Sequence, residues 1–173
     1  IPGFETDFKI VDLDDRTVEL PVGAPGEIVV RNPGVFKGYW NKPAETEVTL
    51  IDGWVYTGDI GRFDEDGFLY LLGRKKEMIK VSGFSVFPEE VELMLNRYPG
   101  VAQSAVIGAP DPQKGEVVKA FIVLSPGCEA TAGDIQKWAK ENMSSYKYPA
   151  QIEFRDVLPT LGTGKLLRRA LKD

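Results

Sequence analysis

The chain changes character across residues 73–83, and that change limits the possible folds more than any other feature. Before it, short runs of β-formers dominate, such as Phe8-Lys9-Ile10-Val11 and Glu27-Ile28-Val29-Val30. Pro21, Gly23, Pro25, Gly26, Pro33 and Gly34 punctuate them. One helix is expected over 42–50, with Pro43 suited to its first turn. Apolar runs over 60–63 and 68–72 flank Asp64-Glu65-Asp66-Gly67, a hairpin signal because Gly accepts the positive φ such a turn needs. This part is expected to be a small antiparallel sheet or partial barrel.

After the break, helix and strand patterns alternate. Pro88 opens a helix with Val91, Met94, Leu95 and Tyr98 on one face, ended by Pro99-Gly100. Strands are expected over 102–107, 117–124 and 151–155. Between the last two, Thr131 and Asp134 form a capping arrangement for a helix whose face carries Ile135, Trp138, Ala139 and Met143. A loop over 159–164 leads to a short terminal helix over 165–172. The fold class is therefore α+β, a small sheet flanked by helices after a β-rich region. The domain boundary is placed between a first segment, 1–75, and a second, 76–173. Trp40, Trp54 and Trp138 are expected in core or domain-packing roles. Cys128 is expected in a loop, half-buried and without a role.

Residue inventory removes several chemistries. The chain has no histidine, which excludes Ser-His-Asp and Cys-His schemes and most zinc sites. A single cysteine excludes an internal disulfide and any multi-cysteine metal site. Chemistry here must use Lys, Arg, Asp, Glu, Tyr or the backbone. The net charge of -5 argues against a nucleic-acid partner, which calls for a basic footprint. No apolar run is long enough to cross a bilayer and no secretory signal opens the chain. The first residue is Ile1, so a fragment of a longer protein is expected.

Three segments carry candidate chemistry. Tyr56-Thr57-Gly58-Asp59 places a carboxylate on a tight turn, where it could accept hydrogen bonds from two ribose hydroxyls. Gly-Asp is also ordinary turn chemistry. The segment over 73–83 clusters Arg74, Lys75, Lys76 and Lys80, which could neutralise phosphate, and Gly83 would let a backbone approach a ligand. Its plain reading is a solvated basic loop. Pro159-Thr160-Leu161-Gly162-Thr163-Gly164-Lys165 could deliver a charge to a phosphate or carboxylate, although it lacks the P-loop frame. Its plain reading is an exposed lysine at a helix start. The acidic run Pro88-Glu89-Glu90-Val91-Glu92 suits a first helical turn and is assigned no chemistry.

In this order and spacing, these segments resemble the adenylate-forming superfamily over essentially the whole chain. Glu27-Ile28-Val29-Val30-Arg31, Gly38-Tyr39-Trp40, Trp54-Val55-Tyr56-Thr57-Gly58-Asp59 and Asp66-Gly67-Phe68-Leu69-Tyr70 contribute to that resemblance, as do 73–83 and Pro159-x4-Gly164-Lys165. The superfamily contains acyl- and aryl-CoA synthetases, peptide-synthetase adenylation domains and firefly luciferase. The resemblance implies a mobile C-terminal lid preceded by a remnant of the large AMP-binding domain. It implies two steps, adenylation of a carboxylate by ATP and then thioester formation with CoA, with lid rotation between them.

The resemblance also implies roles. Asp59 would hold the AMP ribose, and Arg74, with Tyr56 and Thr57 nearby, would contact the nucleotide. Lys76 would be the hinge. Lys165 would be the catalytic lysine of adenylation, bridging carboxylate and α-phosphate. Ser82, Gly83 and Phe84 would line the pantetheine tunnel, and Lys80 would serve the second step. Ser85 stands where some acetyl-type members carry Arg, a departure that removes the guanidinium contact made there in those members. The style of 78–84 favours CoA over a carrier protein as acceptor, and the leading expectation for the substrate is a fatty or other hydrophobic acid. The alternatives are a carrier-loading adenylation domain and a non-catalytic interaction module. ATP and CoA are the implied co-substrates, with Mg2+ expected alongside ATP but no ligands for it in this chain. The phosphate loop, adenine motif and acyl pocket would lie upstream, so the isolated chain is expected to be inactive. A cytoplasmic location is expected from ATP and CoA use and the lack of disulfides. Acetylation of Lys165 would remove the charge the first step needs.

Overall fold

The computed structural model describes residues 5–172, and the chain divides into two compact units, Ile1–Lys76 and Glu77–Asp173. The first unit is a five-stranded antiparallel sheet. Its strands are β1 (Asp7–Val11), β2 (Gly26–Arg31), β3 (Leu50–Ile51), β4 (Trp54–Phe63) and β5 (Leu69–Arg74). They run in the order β1-β2-β4-β3, with β5 also paired to β4. Helix α1 (Pro43–Thr49) takes Pro43 in its first turn, where a missing N–H costs nothing. The β4–β5 turn closes with the Asp64 amide donating to the Phe68 carbonyl at 3.0 Å and with Gly67 at φ +80°. Ile10, Val11, Ile28, Val29 and Ile60 form the buried apolar set of this sheet. Trp54 is half-buried on β4, with Lys9 and Arg31 at 4.6 and 4.5 Å from its ring. Trp40 departs from expectation: a turn through Asn41 at φ +54° carries it outward and leaves it 90% exposed.

The second unit is built on β6 (Ile79–Val81), β7 (Phe84–Val86), β8 (Val101–Asp111), β9 (Gly115–Leu124) and β10 (Gln151–Phe154). β9 is the organising strand, pairing antiparallel with β8 and β6 and parallel with β10. The parallel pairing follows from the crossover helix α3 (Ala132–Asn142) between β9 and β10. Helix α2 (Pro88–Leu95) and α3 cover one face, where Val91, Leu95, Ile135 and Ala139 meet Val118, Ala120 and Ile122. The period-2 alternation of β9 sends Phe121 to the other face, where Ala105, Ile107, Leu158 and Leu171 bury it. The C-terminal segment is thus the cover of the second face.

The Thr131–Asp134 capping box forms as expected, the Asp134 amide donating to Thr131 Oγ1 at 3.2 Å and the Thr131 amide to Asp134 Oδ2 at 2.9 Å. The Thr131 hydroxyl, then its backbone N–H, holds the Asp134 carboxyl below its ordinary value. A lowered carboxyl stabilises the fold above the unfolded value of 3.8, and that gain is lost as pH falls through the folded value. Thr131→Ala is therefore expected to destabilise the unit by about 1 kcal/mol at neutral pH. The difference from wild type should shrink below about pH 4, as read by thermal melts across pH.

Candidate functional site

In the first unit the site begins with a break in register. Glu27 pairs with Ile60 and Val29 with Tyr56, so Thr57, Gly58 and Asp59 stand opposite Ile28 alone. This is a bulge inside a ten-residue strand rather than a turn at a strand end. Gly58 permits it through φ +69°, since an added Cβ there would meet nothing within 4 Å. Thr57 Oγ1 fixes its shape, donating to the Ile28 carbonyl at 2.8 Å and accepting the Asp59 amide at 3.0 Å. Beyond the bulge Asp59 is in register with Arg74, and Arg74 Nε lies 2.7 Å from Asp59 Oδ1.

Beside this bulge is an open cavity of about 370 Å3 whose walls include Tyr56, Thr57, Gly58, Arg74, Lys75 and Lys76. Asp59 joins the group through Arg74 rather than through the cavity wall. Two charged residues of the wall, Glu27 and Arg16, are not among the candidates that the sequence offers. Glu27 is 1% exposed, with Lys75 Nζ at 3.0 Å and Arg16 Nε at 3.4 Å. Its Oε1 accepts the Gly58 amide at 3.2 Å, so the buried acid also supports the bulge. The Arg16 guanidinium lies 4.7 Å from the Tyr56 ring centroid. Arg16, Arg74, Lys75 and Lys76 thus line the cavity beside one buried carboxylate, which pairs with Arg16 and Lys75, giving a positive cavity on a chain of net charge -5. Such a cavity suits an anion, with aromatic rings available for an apolar group. The signal in the sequence was a carboxylate heading an apolar β-run.

The basic segment over 73–83 is ordered rather than a loop: Arg74 ends β5, Lys75 and Lys76 lie in a 3-10 turn, and in the second unit Lys80 lies in the hairpin of β6 and β7. Ser82 and Gly83 occupy its two-residue turn at φ +49° and +87°. Gly83 is thus required by the turn itself. Lys80 and Ser85 face each other across β6 and β7, and Lys80 Nζ donates to Ser85 Oγ at 3.1 Å. Ser85 consequently holds the Lys80 ammonium. Phe84, 55% exposed, stacks on Tyr146 with centroids 4.6 Å apart and planes 15° apart.

Lys165 corrects the expected terminal helix. The segment folds back as a tight hairpin, with a bridge between Thr160 and Leu166. The Leu161 amide donates to the Lys165 carbonyl, and the Gly164 amide to the Leu161 carbonyl, both at 2.8 Å. Only Arg168–Leu171 turn helically, as a 3-10 turn. The physical reason is that eight residues alone gain too little from helix propagation, while Leu166 and Leu171 gain burial against the sheet. The Lys165 side chain is exposed at the hairpin, with no ion pair among the described residues.

Three residues on, Arg168 gathers the acidic run. Its guanidinium makes a fork to Glu92 at 2.8 and 3.2 Å and reaches Glu77 at 2.7 Å and Glu89 at 3.0 Å. Burial, helped by the charge of Glu89, raises Glu92 above the ordinary carboxyl value against the pull of Arg168 and the Val106 amide. Among the described residues, no group of three His, Cys, Asp or Glu could hold a metal ion, and no helix is long and apolar enough to cross a membrane.

Residues 90–165 match the AMP-binding enzyme C-terminal domain. The chain belongs to the adenylate-forming superfamily, corresponding to the C-terminal portion of such an enzyme. It is 46% identical, over 98% of its length, to a long-chain-fatty-acid--CoA ligase of Bacillus subtilis. It is 43% identical over 99% of its length to the fatty acid--[acyl-carrier-protein] ligase ScoC of Streptomyces coeruleorubidus. Among solved structures, ATP-bound MatB from Rhodopseudomonas palustris matches 99% of the chain at 35% identity with a TM-score of 0.91. The chain spans about a third of each of these proteins: 30%, 32% and 34% of their lengths.

Proposed function

We propose that the chain is the nucleotide-gripping end and lid of an ATP-dependent, AMP-forming acyl-CoA synthetase that acts on a fatty acid. The observation that carries this reading is the Asp59–Arg74 pair set beside the Thr57–Gly58 bulge and the positive cavity. Asp59 accepts the ribose hydroxyls, and Arg74 both orients that carboxylate and contacts the nucleotide, with Tyr56 and Thr57 lining the approach. Lys165 then supplies the charge for adenylation. The substrate carboxylate attacks the α-phosphorus of ATP, the bond to the β-phosphate oxygen breaks, and pyrophosphate leaves. Lys165 stabilises the negative charge building between carboxylate and phosphate. Rotation about Lys76 brings the hairpin of Ser82, Gly83 and Phe84, with Lys80, to the second step. There the CoA thiol, losing its proton, attacks the acyl carbonyl and AMP departs.

The similarity to fatty-acid ligases supports a fatty acid as the substrate. The ScoC relative favours a second reading in which a carrier protein accepts the acyl group. Offering CoA and a phosphopantetheinylated carrier to the full-length parent separates the two by which thioester forms. Asp59→Ala in that parent is expected to raise KM for ATP by about 10- to 100-fold, the loss of charge-assisted hydrogen bonds. An unchanged KM would remove Asp59 from the nucleotide site. The 173-residue chain alone is expected to release no pyrophosphate from ATP and a fatty acid.

A further inference from the structure

The Arg168 cluster holds more acid than a structural ion pair needs. One guanidinium with a side chain 13% exposed faces Glu77, Glu89 and Glu92, and Glu89 Oε2 is buried without a hydrogen-bond partner. Gathering three carboxylates around one guanidinium sets like charges against each other, so stability alone does not explain the arrangement. The places its members come from do. Glu77 follows directly on Lys76 and ends the 3-10 turn Lys75–Glu77. Glu89 and Glu92 lie on α2. Arg168 lies three residues after Lys165 and opens the turn that ends the lysine hairpin.

We propose that Arg168 is a positioning residue that locks the first residue after the hinge, helix α2 and the Lys165 hairpin into one rigid body. Rotation at Lys76 then carries Lys165 in or out as a unit, because Glu77 cannot turn without Arg168. This deepens the two-step reading above and rests on it. The fork to Glu92 sets the guanidinium plane, which leaves Arg168 Nη1 aimed at Glu77 and Glu89. The backbone continues from there into the Leu167 amide, which donates to the Pro159 carbonyl at 2.8 Å and closes the base of the hairpin.

The test uses the full-length parent with Glu77→Gln and Arg168→Lys, which remove one contact or the fork and spare most of the packing. Pyrophosphate release and thioester formation from pre-made acyl-adenylate are measured separately, beside Lys165→Ala. Both variants are expected to slow adenylation about tenfold and to leave the second step within about twofold, since small misplacement of a catalytic group is costly. Hydrogen exchange at the Leu161 and Leu167 amides is expected to quicken in both. Adding Glu77→Gln to Lys165→Ala should slow adenylation no further. Equal loss in both steps, or unchanged adenylation where Lys165→Ala slows it, would overturn the proposal. Unchanged adenylation in Lys165→Ala itself would instead overturn the assignment of the lysine.

Discussion

Lys165→Ala in the full-length parent is expected to slow adenylation by about a hundred- to a thousand-fold, the usual cost of losing one preorganised group at a developing charge. Thioester formation from a pre-made acyl-adenylate should stay near wild type. The split arises because Lys165 sits on a separate hairpin from Lys80, Ser82 and Phe84 and shares no hydrogen bond or ion pair with them. Its exposed side chain supports little packing, so the variant should melt with wild type. Pyrophosphate release and thioester yield, followed separately, read the two steps. Equal rates of pyrophosphate release in variant and wild type would remove Lys165 from catalysis.

Glu27→Ala is expected to destabilise the first unit by about 3 kcal/mol, the lower end of the cost of breaking a buried pair. The low end applies because Arg16 and Lys75, with side chains 38% and 28% exposed, keep access to water once the acid is gone. The loss has a second component, because the Gly58 amide loses its acceptor and the bulge its support. Nucleotide affinity should therefore fall together with stability, although Glu27 is assigned no contact with the ligand. Glu27→Gln can still accept the Gly58 amide and should recover part of the affinity. Urea unfolding gives the stability, and a drop under about 1 kcal/mol would mean the acid behaves as a surface ion pair.

Much of the architecture was legible because it rests on local rules. The Asp64–Gly67 turn, Pro43 and Pro88 in first helical turns and the Thr131–Asp134 box each act within a few residues. The apolar faces read for α2 and α3 announced part of the core, through Val91, Leu95, Ile135 and Ala139. The order of the motifs pointed to the family before any contact was known.

Tertiary structure decided the rest, for a common reason: the determining partners are far away in sequence. Nothing near Glu27 in the chain says that Lys75, 48 residues on, will meet it in the interior. The bulge at Thr57–Asp59 depends on an acceptor at Ile28, 29 residues back from Thr57. The segment after Lys165 has the composition of a helix, yet Leu166 and Leu171 are drawn onto the face around Phe121, and burial outweighs local propensity. Arg168 and Glu77 are 91 residues apart and belong to no common period. The sequence by itself determined most of the elements, the apolar faces of α2 and α3, and the family. Which charges would be buried, and what they would hold in place, followed only from long-range contact, because the pairing of charges across a core leaves no periodic trace in the chain.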